Sequence, residues 1–175
     1  MTGKVLALVV LLCAVLAGIG VYYTQVYAYY IEVEPSGVDD VQLTPKGSDV
    51  PETVLYGDFR AIEKKSSPIG YRACFTTDTP LAQFTDRYEE YVGSSPRVAP
   101  GWFDCFDAEE IGTMIANGQA RVFTGQRNLF YGIDRVVAIT ENGRGFIWHE
   151  VNECGAKTYD GSPKGEDCPP RDGET

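Results

Sequence analysis

Val5–Ile31, VLALVVLLCAVLAGIGVYYTQVYAYYI, is the stretch on which the reading of this chain turns. Lys4 is the last charge before it and Glu32 the first after it. As a helix rising ~1.5 Å per residue it reaches roughly 40 Å, against a hydrocarbon core of about 30 Å. Tyr22, Tyr23, Tyr27, Tyr29 and Tyr30 crowd its far end. Phenol rings are amphipathic and settle at the level of the headgroups, so the cluster reads as an aromatic belt. The rival reading is a cleaved secretory signal. Lys4 supplies a minimal basic region and Val15-Leu16-Ala17 a poor small-residue cleavage site, but the apolar run outlasts the roughly 7–15 residues of a signal core. The bulky Leu12 directly before Cys13 counts against a lipoprotein signal. The expectation is a retained transmembrane anchor over residues 1–31.

Charge orients it. Lys4 flanks one side, and Glu32, Glu34, Asp39 and Asp40 flank the other. Basic residues stay on the cytoplasmic side, so the amino terminus is expected inside and the rest of the chain outside. The sequence holds 15 Lys and Arg against 25 Asp and Glu, a formal net charge of −10. Every one of these charges except Lys4 lies from Glu32 onward, so the exported part is more acidic still. Nucleic acid and anionic lipid surfaces repel such a domain and are excluded as its partners on this ground.

Cys13 lies inside the apolar run and reads as a small apolar residue. Cys74, Cys105, Cys154 and Cys168 form an even set in the exported part. An oxidising compartment favours pairing them, and four cysteines allow three connectivities. Cys154–Cys168 with Cys74–Cys105 is preferred, because a Gly- and Pro-rich tail lacking apolar residues has little else to hold it. A metal site is the alternative. No CxxC is present and His149 is the only histidine, so neither a metal nor another cofactor is expected.

Along the chain, residues 32–54 read as an extended linker, with Pro35, Gly37, Pro45, Gly47 and Pro51 and at most one short strand near Val41–Leu43. Residues 55–154 read as the folded domain. Phe59–Lys64 and Ile69–Thr76 are strands joined by the turn-rich KSSP, with Arg60, Glu63 and Arg72 as solvated positions. Thr79 and Pro80 suit the N-cap and first turn of a helix. Leu81, Phe84, Tyr88 and Tyr91 give that helix one apolar face, and Gly93 stops it. Asp107 caps a second helix through Ile111, Met114 and Ile115, ended by Gly118. Strands follow at Ala120–Thr124, Leu129–Thr140 and Gly145–Val151, the last two joined by ENGRG, a hairpin signal. Residues 155–175 read as an irregular acidic tail. The expected class is α+β: one transmembrane helix, then a small antiparallel sheet with two helices.

Candidate chemistry is sparse. On a strand, Ile147, His149 and Val151 share one face and Phe146, Trp148 and Glu150 the other. A catalytic histidine needs an orienting carboxylate and a nucleophile, and no such set is spelled out, so no catalytic residue is assigned. Tyr131, Asp134, Arg135, Trp148 and His149 form a candidate recognition patch. Neither Gly118-Gln-Ala-Arg121 nor Gly125-Gln-Arg127 matches a phosphate loop.

NGQARVF (117–123), NLFYGIDRVVAIT (128–140) and ENGRGFIWHEVNECG (141–155), behind a short anchor, resemble a family of uncharacterised single-anchor proteins of alphaproteobacteria. The resemblance covers nearly the whole chain. It implies an inner-membrane protein with a periplasmic domain and carries no activity or site residues. The expected function is a non-catalytic accessory or assembly subunit of an inner-membrane protein complex. A tethered periplasmic ligand-binding or sensing module is the alternative, though only about four residues remain on the cytoplasmic side to carry a signal. Ala7, Ala14 and Gly18 lie on one stripe of the anchor, a helix-packing surface for a membrane partner, while the rest of the anchor meets lipid.

Overall fold

The computed structural model describes residues 2–165, 168 and 169. Helix α1 (Thr2–Tyr23) is followed by one π-helical turn, Thr24–Ala28. Thr24 widens the helix there: its hydroxyl donates to the carbonyls of Gly20 and Val21, each at 3.0 Å, in competition with the regular ladder. The apolar span Gly3–Ala28 has a mean hydropathy of 2.8, none of it is buried, and it is long enough to cross a membrane. The chain enters strand β1 (Tyr30–Val33) after a single residue, Tyr29.

Five further strands build the main sheet with β1: β4 (Gly57–Lys64), β5 (Ser67–Thr76), β6 (Ala120–Phe130), β7 (Ile133–Thr140) and β8 (Arg144–Val151). Their order is β1-β4-β5-β8-β7-β6, antiparallel throughout. The short strands β2 (Gln42–Leu43) and β3 (Glu52–Thr53) pair separately. Helices α2 (Leu81–Arg87) and α3 (Ala108–Ala116) complete the α+β domain. Strands β5, β7 and β8 carry runs of consecutive buried residues rather than an alternation, the signature of a sheet covered on both faces. On one face Val41, Leu43, Val54, Phe84 and Tyr88 pack on Ala73, Phe75, Val137 and Ile147. On the other, Phe103, Phe106 and Ile111 pack on Cys74, Val136, Phe146 and Trp148.

Several expectations meet a different outcome. Residues 32–54, expected as a linker, supply part of β1 together with β2 and β3. Val41 and Leu43 are fully buried, each contributing on the order of 2 kcal/mol by leaving water, so this stretch belongs to the domain. The helix expected through Tyr91 stops at Arg87, and its N-cap residue is Pro80, with no side-chain cap from Thr79. Tyr88 is extended, Glu89 donates its N–H to Thr44 O at 3.0 Å, and Tyr91 donates to Val122 O at 2.8 Å. Extended backbone sends Tyr88 to one core and Tyr91 to the other, which one helical face cannot do. The long strand expected over Leu129–Thr140 is a hairpin, because Gly132 turns the chain at φ +77. A Cβ there would overlap the backbone of Gly155. Arg72, expected in solvent, is 3 % exposed. Helix α3 starts and stops where its punctuation says: the Asp107 carboxylate accepts from Glu109 N at 2.9 Å and Glu110 N at 3.1 Å, and Gly118 follows at φ +74.

Both expected disulfides are formed. Cys74–Cys105 joins β5 to the loop before α3, with Cα atoms 6.2 Å apart, and Cys154–Cys168 closes the tail at 5.5 Å. The described part of the tail holds turns and one isolated bridge, Lys157 to Pro163. The rest of the expected irregular tail lies outside the described residues.

Candidate functional site

Strand pairing decides where the candidate patch goes. Asp134 sits opposite Glu150, Arg135 opposite His149 and Val136 opposite Trp148. Because successive residues alternate between faces, Asp134 and Trp148 go to the α3 side and Arg135 and His149 to the other. Tyr131 lies in the β6–β7 turn. The five residues therefore do not form one surface. Trp148 is fully buried and serves as a core anchor, its indole N–H donating to Glu150 Oε1 at 2.9 Å.

On the α3 side, two buried carboxylates stand under an open cleft of about 580 Å³, lined by residues that include Glu90, Val92, Arg127, Val151 and Glu153. Asp134, 1 % exposed, accepts from Asn128 N at 2.8 Å, Asn152 Nδ2 at 2.7 Å and the Tyr91 hydroxyl at 3.3 Å. Arg127 lies 3.8 Å away. Asn128 reaches its position in the left-handed region, φ +46, which Asn tolerates better than most residues. Glu150 accepts from Ser95 N at 2.7 Å and pairs with Arg97 at 3.3 Å. Burial, with the charge of Asp134 adding to it, pushes the Tyr91 phenol up to about 12. These carboxylates are saturated with donors, so the network holds the cleft floor in shape.

On the opposite face, the rings of Tyr71 and His149 stack with centroids 4.8 Å apart, and the Arg135 guanidinium lies 4.8 Å from the Tyr71 ring centre. His149 Nδ1 is 2.5 Å from the carbonyl of Pro68, and Arg135 Nε donates to His149 Nε2 at 3.2 Å. These partners fix the neutral tautomer with hydrogen on Nδ1. Burial pushes the imidazole down to about 4, against the Pro68 contact and with the charges of Arg135 and Arg72 adding to it. Neither nitrogen is left to accept a proton from a substrate. A pocket of about 230 Å³ opens here, lined also by Asp39, Asp40, Lys64 and Phe130. Burial raises the Asp40 carboxyl, but the donors Ser36, Tyr56 and Gly37 outweigh it and hold the group below its usual value. Among the described residues no group of three or more His, Cys, Asp or Glu is arranged to hold a metal.

Tyr71, Tyr91, Arg127, Asn128 and Asn152 join these two sites without being expected there from the sequence. The Asn residues flank the β6–β7 turn and the end of β8, a local signal for side-chain bonding to backbone. Nothing local marks the tyrosines. Residues 41–169 match a family described only as one of unknown function, DUF6446. The chain belongs to DUF6446. No curated protein and no solved structure matches it. The DUF6446 match takes in both cores, both disulfides and the cleft, and begins at Val41, the first fully buried residue of the domain.

Proposed function

We propose that this chain is a single-pass subunit of an inner-membrane protein complex, with its amino terminus in the cytoplasm and its DUF6446 domain in the periplasm, and that it works by contact as an accessory or assembly component. The observation that carries this reading is the junction between anchor and domain. Helix α1 passes through one π-helical turn into β1, an edge strand of the main sheet. The indole N–H of Trp102 then clamps that turn by donating to Val26 O at 2.7 Å. A domain on a flexible stalk would sample the aqueous phase, whereas this one is held at a fixed height and attitude, as a docking subunit requires. The disulfides fit an oxidising compartment, and Lys4 against Glu32, Glu34, Asp39 and Asp40 supports the orientation. The resemblance to alphaproteobacterial single-anchor proteins supports the inner membrane.

The cleft of about 580 Å³ favours the second reading, a tethered ligand-binding module. One experiment separates them: co-purification in mild detergent of the native chain and of a chain whose Val5–Val21 is replaced by polyleucine. A contact subunit loses a defined membrane partner with its helix. Full retention of every partner by the polyleucine chain contradicts a docking anchor, and a small molecule co-purifying with both chains favours the ligand binder.

A further inference from the structure

We infer that the domain's membrane-proximal edge is itself a lipid-binding face, in which Trp102 and the ammonium groups of Lys64 and Lys65 sit among headgroup phosphates. This rests on the reading of α1 as a membrane anchor. The depth follows from chain length. About 20 helical residues cross the hydrocarbon, so a span entering at Val5 leaves it near Thr24, and Gln25–Tyr30 lies at headgroup level.

The domain is bonded to that same segment. Trp102 donates to Val26 O and packs edge-on against Tyr30, with centroids 6.5 Å apart. Lys64 Nζ lies 5.7 Å and 5.8 Å from the ring centres of Tyr29 and Tyr30 and 3.4 Å from Gln25 Oε1. The Lys65 N–H donates to Tyr29 O at 3.4 Å. Groups fixed to residues 25–30 share their depth. The end of a membrane helix leaves carbonyls without partners, and Trp102 satisfies one of them while presenting an amphipathic ring suited to the interface.

Charge points the same way. Arg60, Arg87, Arg121 and Arg144 each hold a carboxylate. Among the described residues neither Lys64 nor Lys65 is in an ion pair. The Lys64 ammonium, held by Gln25 and two tyrosine rings rather than by a carboxylate, and the exposed Lys65 beside it thus bring positive charge to the depth where phosphates lie. The net acidity disfavours an anionic bilayer as a whole, so the contact is with the phosphate that zwitterionic lipids also carry.

The test uses the full chain in phosphatidylcholine nanodiscs containing lipids brominated either near the glycerol or near the chain ends. The protein has 2 tryptophans, and Trp148 is fully buried in the domain, so Trp102 is the quenchable one. Bromine near the glycerol should quench emission, and bromine near the chain ends should quench far less. Trp102→Phe should abolish the difference, and Lys64→Glu with Lys65→Glu should reduce it while Trp102 remains. Emission from the native chain that ignores shallow bromine, in protein that resists alkaline extraction, overturns the lipid-binding face and leaves the anchor standing. Release of the chain at alkaline pH overturns both. Unchanged quenching in the double lysine variant overturns the part assigned to the lysines.

Discussion

Arg72 directs its guanidinium at main-chain carbonyls: Nε to Arg97 at 2.8 Å, and Nη1 to Ile69 at 2.8 Å and Tyr71 at 2.6 Å. It ties the 97–98 loop to β5, and burial pushes it down to about 10. Arg72→Met should lower stability by about 3 kcal/mol, since buried carbonyls lose charged donors. Urea denaturation measures this, and a change near zero would show the loop to be held by other means. His149 carries a pH signature. The unfolded chain takes up a proton near pH 6.5 that the folded ring refuses until about pH 4. The stability supplied by keeping it neutral is therefore whole above pH 6.5 and is lost as the pH falls toward 4. Between those limits the native protein should lose about 3 kcal/mol more than His149→Phe does; equal slopes in urea titrations at successive pH values would contradict the buried neutral ring. Both residues sit in apolar strand segments, IGYRACF and FIWHEV. Sequence alone does not say that a second layer covers the outer face, so Arg72 read as solvated.

At the scale of elements, the two disulfides do different work. Cys74–Cys105 closes a separation of 31 residues within a core, and Cys154–Cys168 one of 14 residues in the tail. Loop entropy assigns about 4 and about 3 kcal/mol to them. Replacing Cys74 and Cys105 with Ala should lower the unfolding midpoint of the whole domain. Replacing Cys154 and Cys168 should chiefly free the tail, seen as new protease cleavage after Gly155 with the domain intact. The reverse pattern would contradict this division. Helix α3 was legible because Asp107 and Gly118 are local signals. The end of α2 was not, because Tyr88 and Tyr91 answer to two different cores, and only the tertiary structure shows that the chain must straighten between them. The candidate site was legible to the same degree. Asp134 and Trp148 stand out as polar and aromatic residues, but the donors to Asp134, which are Tyr91, Asn128 and Asn152, come from a hairpin and an edge segment that no short window of sequence joins.

For the molecule as a whole, the function we propose requires the anchor to be a contact surface as well as a tether. Ala14 and Gly18 are exposed on α1, and a Cβ at Gly18 meets nothing within 4 Å. Leucine at both positions therefore points away from the domain's cores and fills a small-residue surface against any neighbouring helix. Ala14→Leu with Gly18→Leu should keep the protein in the membrane and folded, with normal disulfides, while membrane partners are lost on co-purification; undiminished partners would make the helix a tether alone. An anchor retained on a domain that folds in an oxidising compartment leaves its mark on the intact mass of the membrane-extracted protein, alkylated under denaturing conditions. The expected mass is that of the full chain, with or without Met1, less the hydrogens of two disulfides and with a single alkylated thiol at Cys13. A mass beginning near Gly18, or five alkylated cysteines, would contradict it.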